Sequence, residues 1–174
     1  RRLKAFLATA DEQGVPDLQA ACDYLAGLQE VDRERIGAIG YCSGGGTLYA
    51  WICGRSRNLK AAVVFYGAPT VQAEARADGK LLDRAVNAAK LQCPLLVHHG
   101  DCDRAVKLDE AKRMVEALKK SGQPVEFHIY PGADHAYHDD SHPNYHSAAA
   151  EQSWQATLEF LGRYLSEPVR PRAA

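Results

Sequence analysis

Three short segments hold side chains whose types could do covalent chemistry together. The first, Gly40-Tyr41-Cys42-Ser43-Gly44-Gly45-Gly46, has the form G-x-S-x-G with cysteine at its centre. Where a chain turns sharply from strand to helix, side chains two positions either side of the central residue would collide with neighbouring backbone. Glycines at 40 and 44 suit that turn, and the central side chain is forced outward at the top of a sheet. A cysteine there stands at a helix N-terminus, whose dipole favours the thiolate. The backbone N–H of Ser43 then points to where an oxyanion would form. Glycine-rich turns also cradle phosphate, but neither G-x-x-x-x-G-K-[ST] nor G-x-G-x-x-G occurs. Ser43 is an off-centre competitor for the nucleophile, and a buried structural thiol is the common role of a lone cysteine.

The other two segments are His98-His99-Gly100-Asp101-Cys102-Asp103 and Tyr130-Pro131-Gly132-Ala133-Asp134-His135. Each follows an apolar run, and in a parallel sheet the carboxyl ends of all strands lie on one edge. The order Cys42…Asp103…His135 is the nucleophile–acid–histidine order of α/β-hydrolases. Asp103, deeper in its loop, is preferred to Asp101 as the acid. Asp134 reads as a turn residue, because adjacent side chains diverge. His128 reads as a structural histidine inside a strand, and His98 and His99 end a strand, with one of them available to the site's edge. Cys102, beside Asp103, is a candidate neighbour of Cys42. His135, His138, His142 and His146, with Asp139 and Asp140, have metal-ligand spacings of three and four. Pro131, Gly132 and Pro143 break any helix that would gather them, so the reading is solvated loop histidines, with no metal and no cofactor.

Positioning these groups requires strands that end together. Ile36 to Cys42, Ala61 to Gly67, Leu95 to Gly100 and Val125 to Tyr130 read as strands, and apolar runs with Val and Ile suit parallel strands covered on both faces. Helical patterns lie between them. One starts at Pro16-Asp17 and carries Leu18, Ala21, Cys22, Leu25 and Leu28 on one face. A second runs from Cys42 to about Cys53, with Gly54 as its stop. A third carries Leu108, Ala111, Met114, Val115 and Leu118. The last carries Trp154, Thr157, Leu158, Leu161 and Leu165. Residues 70–90 read as a surface helix or excursion. The alternation implies an α/β fold, a mostly parallel sheet with helices on both faces.

The 174 residues are one domain's worth, and the near balance of 21 Lys and Arg against 22 Asp and Glu gives no reason to expect nucleic acid or an anionic membrane as partner. The longest apolar stretch, Ala61 to Tyr66, is too short to cross a bilayer. Arg1-Arg2 before Leu3 to Ala10 resembles the start of a signal peptide, but Lys4 interrupts a short run. The chain does not begin with Met, which fits a processed or partial sequence. Five cysteines without a CxxC pair fit a reducing compartment, the cytoplasm, better than a disulfide framework.

Taken together, the sequence resembles the dienelactone hydrolase family of α/β-hydrolases. The resemblance rests on residues 40–45, 97–103 and 130–138, and on Asp17 to Gly40 with its Val31-Asp32-Arg33-Glu34-Arg35-Ile36-Gly37 segment. It implies a three-layer α/β-hydrolase-like sandwich and a hydrolase of small carboxylic esters or lactones. It implies Cys42 as nucleophile, Asp103 as acid and His135 as base, with a thioester intermediate and the Ser43 N–H at the oxyanion. Tyr41, Tyr66 and Tyr137 are candidate walls of the substrate pocket. Two departures stand out. Family members carry additional N-terminal strands, which bear a second oxyanion donor worth about 2.7–4 kcal/mol, a glutamate near the cysteine and an arginine for substrate carboxylate. The chain therefore reads as one N-terminally incomplete domain over 1–174, whose exposed sheet edge would be covered by a missing segment or by another subunit. The dienelactone enzymes also place an arginine four residues after the histidine, where this chain has Asp139, so a neutral ester or lactone is favoured over an anionic one. The competing expectations are a catalytically impaired remnant that binds a partner and a histidine-rich metal-binding module.

Overall fold

A computed structural model describes residues 2–54, 56–76 and 78–166, with residues 2–10 in their backbone only. Its centre is a four-stranded, all-parallel sheet of β1 (Ile36–Tyr41), β2 (Leu59–Phe65), β5 (Leu95–Gly100) and β6 (Val125–Tyr130), in the order β1-β2-β5-β6. The register pairs Tyr41 with Phe65, Phe65 with His98, and His98 with His128. The carboxyl ends of the four strands therefore lie along one edge.

Alternation along the strands divides the core. Ala62, Val64, Leu95 and Val97 face a cluster with Leu48, Ile52, Met114 and Leu118, from α2 (Cys42–Ile52) and α3 (Leu108–Lys119). Cys22 of α1 (Arg2–Gly27) joins the same side. Ala61, Val63, Phe65 and Leu96 face the opposite way, onto Phe160 and Ala149 of α4 (Ser147–Leu165). Helices thus cover both faces, giving the three-layer α/β-hydrolase arrangement expected from the sequence. Every residue of β5 is buried, as a strand with neighbours on both sides and helices on both faces should be. Among the described residues β1 pairs on one side only.

Four local expectations are corrected. The first helix does not start at Pro16 but runs through it. Proline removes one helical N–H, yet here the helix is anchored on both sides of it. Upstream, Asp11 receives two hydrogen bonds from Arg84 (2.9 and 2.7 Å). Downstream, Gln19 accepts from Trp51 Nε1 at 3.0 Å and Arg57 N at 2.9 Å. The second strand lies two residues earlier than expected, because Tyr66 takes a φ of 39° and ends the ladder. Residues 70–90 form no surface helix. They hold a two-stranded antiparallel pair, β3 (Thr70–Val71) and β4 (Leu82–Asp83), flanked by 3-10 turns, with Val71, Arg84 and Ala88 buried.

In α4 the buried positions are Ala149, Ala150, Ser153, Thr157 and Phe160, while Trp154 and Leu158 are 39% and 47% exposed. The small residues let the helix close on the sheet, and Thr157 Oγ1 meets His98 Nε2 at 3.0 Å. That polar anchor sets the rotation of the helix against its larger apolar residues. No helix among the described residues is long and apolar enough to cross a membrane. Arg1, the first residue of the Arg1–Arg2 pair, lies outside the described residues.

Candidate functional site

Cys42 begins α2 immediately after β1 and has a φ of 52°, an uncommon backbone state for a residue with a side chain. The turn is tight at Gly40 and at Gly45, whose Cβ would come within 2.9 Å of Gly67 Cα, but open at Gly44. A Cβ on Gly40 would come within 2.8 Å of the Gly44 carbonyl oxygen and 2.9 Å of Gly45 Cα, whereas a Cβ on Gly44 would meet nothing within 4 Å. The expected steric demand therefore holds at 40 and not at 44. The result is an exposed sulfur at the end of the sheet, on the first turn of a helix.

Asp103 and His135 come to the same edge from the loops after β5 and β6. A Cβ on Gly100, at the end of β5, would overlap the Ala133 carbonyl, so the glycine lets the two loops lie against each other. Asp103 is buried, with Oδ1 accepting from the backbone N–H groups of Ala105 (2.8 Å) and Val106 (2.7 Å). Its Oδ2 lies 2.9 Å from His135 Nδ1. His135 Nε2 lies 3.1 Å from Cys42 Sγ. Asn144 Nδ2 donates to the His135 carbonyl at 2.9 Å and fixes the loop from behind. The structure thus brings Cys42, His135 and Asp103 into one hydrogen-bonded line.

The electrostatics follow from that line. The His135 hydrogen bond lowers the Cys42 pKa, against an opposing effect of burial, and the N–H and hydroxyl of Ser43 help. Burial alone would lower the His135 pKa, but hydrogen bonds to Asp103 and Cys42 outweigh it and raise it to about 10. Asp103 shows the same competition: burial pushes its carboxyl up, while the His135 and Val106 hydrogen bonds take it below its ordinary value. All three directions favour a thiolate–imidazolium pair beside a carboxylate.

Other candidates take different places. Asp101 is exposed and accepts from Gly132 N at 2.7 Å. Asp134 holds the turn, accepting from Arg104 N at 2.9 Å and from its neighbour His135 N at 2.7 Å. Of the two strand-end histidines, His99 reaches the acid of the site, with Nε2 3.8 Å from Asp103 Oδ2, and His98 does not. His98 is buried between Thr157 and Tyr130, whose hydroxyl is 2.8 Å from Nδ1, and burial lowers its pKa to about 3. His99 Nε2 meets the Val106 carbonyl at 2.9 Å, beneath Asp103. His128 is not enclosed; it sits part-exposed on β6, with Nε2 3.9 Å from Glu126. Cys102 is a free, exposed thiol, as Cys42 is.

Tyr41 and Tyr66 line a cavity of about 520 Å³ beside Cys42, with His138, Asp139 and His142. The Tyr66 ring meets that of His135 edge-on at 5.0 Å. Tyr137 is not a pocket wall: it is fully buried and packs against Tyr66 and Tyr130, both at 5.4 Å. The short His135-Ala136-Tyr137 turn, with Ala136 at a φ of 64°, sends it inward. Of the loop histidines, His142 Nδ1 accepts from Asn144 N, and His146 Nδ1 accepts from Ala149 N and caps α4. Among the described residues no three His, Cys, Asp or Glu side chains gather as a metal ion would require.

Sequence reasoning missed Asn144 and the Ala105 and Val106 N–H groups. Backbone donors carry no residue-type signal, and an asparagine nine positions beyond its partner matches no motif.

A model of the dienelactone hydrolase family matches residues 2–165. A Methylorubrum extorquens protein provisionally named carboxymethylenebutenolidase is 30% identical over 154 residues, 88% of this chain and 52% of that protein. A Bradyrhizobium protein provisionally named 2-oxo-3-(5-oxofuran-2-ylidene)propanoate lactonase is 29% identical over 165 residues, 94% of this chain and 65% of that one. The crystal structure of a provisionally identified dienelactone hydrolase from Klebsiella pneumoniae superposes with a TM-score of 0.77 at 28% identity, covering 88% of this chain and 62% of the other. The chain spans between about half and two thirds of the length of these relatives.

Proposed function

Since the chain belongs to the dienelactone hydrolase family, we propose that it hydrolyses small carboxylic esters or lactones through a thioester formed on Cys42. The observation that carries this reading is the line Cys42 Sγ–His135–Asp103, with separations of 3.1 and 2.9 Å, opening on the 520 Å³ cavity. The thiolate attacks the carbonyl carbon, and the carbonyl electrons move onto oxygen, where the Ser43 N–H meets the developing charge. The tetrahedral adduct collapses, the C–O bond breaks, and His135 gives its proton to the leaving alkoxide. Water then attacks the thioester with His135 taking its proton; the C–S bond breaks, the acid leaves, and the thiolate–imidazolium pair re-forms. Asp103 stays ionised throughout and holds the imidazole in place.

Asp139 borders the cavity, and Ser141 hydrogen bonds hold its pKa below the ordinary value. The substrate is therefore one without a carboxylate near the reacting centre. The five free thiols fit a reducing compartment, the cytoplasm. Hydrolysis of a p-nitrophenyl ester tests the proposal. It should fall to the uncatalysed rate in Cys42→Ala and in His135→Ala; undiminished turnover in either refutes the assignment.

A second reading, partner binding, is favoured by the side of β1 that pairs with no strand among the described residues and by the adjoining groove of about 560 Å³ between α1, β1 and α2. It predicts a folded protein without esterase activity that associates through this edge. A strand from another copy of the chain would satisfy the same edge.

A further inference from the structure

Beside the cavity at Cys42 lies a second one of about 410 Å³, and the two share Tyr41 and His138 as a common wall. Aromatic rings line it in a row. The centroid of Tyr41 is 5.5 Å from that of His138, and His138 is 6.0 Å from Trp154, with Tyr145 nearby. Tyr41, Tyr145 and Trp154 are each more than a third exposed, so three of the protein's exposed large aromatic side chains meet at one depression next to the thiol. Asp140 and Glu151 complete the lining, and neither has an ion-pair partner among the described residues. Asp139 lines the adjoining cavity at Cys42, and neither cavity is lined by a lysine or arginine. Burial keeps His138 below its ordinary pKa, so it contributes a neutral ring at neutral pH.

We propose that this second cavity is a subsite for a small organic cation, of the trimethylammonium or protonated tertiary amine type, carried by the ester that Cys42 attacks. Such a group is attracted by ring faces and by nearby carboxylates; trimethylammonium has no hydrogen-bond demand that aromatic walls would leave unmet, and a protonated tertiary amine has a single N–H, for which the Asp140 and Glu151 carboxylates in the lining are acceptors. A carboxylate or phosphate in the same place would face the like charges of Asp140 and Glu151. A neutral alkyl group would bury against the rings but gain nothing from Asp139, Asp140 and Glu151. The inference rests on the esterase reading for the reaction, though not for the binding.

Two readouts test it, and one does not need activity. Tetramethylammonium is titrated into the protein while the indole N–H signal of Trp154 is followed by NMR, with tert-butanol as the neutral control. Tetramethylammonium should bind at least tenfold more tightly than tert-butanol and shift the Trp154 signal but not that of buried Trp51. In the second readout, ester pairs differing only in a trimethylammonium or a tert-butyl group are compared, with the group on the alcohol in one pair and on the acyl part in the other. In at least one pair the cationic member should have about tenfold higher kcat/KM. That ratio should fall towards one in Trp154→Ala and in Glu151→Gln, a comparison internal to each variant and independent of how much of it is folded. Equal binding of the two probes, together with ratios near one in both pairs, overturns the proposal. Selective binding in a protein whose esterase activity survives Cys42→Ala would keep the subsite and overturn the mechanism instead.

Discussion

Replacing Asp103 with asparagine changes one charge at the buried end of the line and little else. The carboxylate makes a 2.9 Å hydrogen bond to His135 Nδ1 with one oxygen, and the other accepts from Ala105 and Val106 N–H. An asparagine keeps the carbonyl that holds the loop and presents an N–H₂ to the imidazole, which imposes the wrong tautomer. Hydrogen bonds to charged groups are worth about 1.5–3 kcal/mol. At ~1.4 kcal/mol per pKa unit, the imidazolium should lose roughly one to two units. The equilibrium between thiol–imidazole and thiolate–imidazolium should therefore shift some 10- to 100-fold toward the neutral pair. Iodoacetamide alkylation, followed from pH 5 to 10 by mass spectrometry, reads the thiolate directly. The background should be Cys102→Ser, because Cys102 is the other exposed thiol, while Cys53 and Cys93 are buried and burial pushes them to about 12. Slower alkylation at neutral pH, with its midpoint displaced upward, is expected. An unchanged midpoint would refute the claim that Asp103 sustains the ion pair.

Three further outcomes follow from the same geometry. Gly40→Ala should lower the melting temperature and abolish turnover, because its Cβ would approach backbone atoms at 2.8–2.9 Å, while Gly44→Ala should change stability by no more than about 0.5 kcal/mol; calorimetry of the two variants separates them. His98 is held neutral, with a folded pKa of about 3 against an ordinary 6.5, so its contribution is complete above about pH 6.5 and is lost as pH falls towards 3. Urea titrations should show the wild type losing roughly 1 kcal/mol more than His98→Gln between pH 6 and 5. Arg84→Met leaves the Asp11 carboxylate and the Ala68 carbonyl without their guanidinium and should cost about 3 kcal/mol, measured by the same titrations.

Much of this site is legible in the sequence for an identifiable reason. Parallel strands end on one edge, so residues just beyond three different strand ends converge without any knowledge of the intervening chain. Cys42, Asp103 and His135 sit just there, and Gly40 and Gly100 mark where backbone must pass close. What the sequence hides is set by tertiary contact. Pro16 appears as a helix start because its missing N–H is visible, whereas the Asp11–Arg84 and Gln19–Trp51 bonds that hold the helix on either side of it are not. Trp154 and Leu158 look like core residues, yet the His98–Thr157 bond and the small residues of α4 turn them outward. Tyr137 follows the catalytic histidine candidate by two positions and points away from the cavity, because the turn at Ala136 adopts a positive φ.

The most direct test of the account is the covalent intermediate. The protein is mixed with a p-nitrophenyl ester, quenched in acid within the first turnover, digested and sequenced by mass spectrometry. The account predicts one acyl group, held as a hydroxylamine-labile thioester on the peptide containing Cys42 and absent in Cys42→Ala. Turnover with no acyl group on Cys42, or with the acyl group on Ser43 instead, would contradict it.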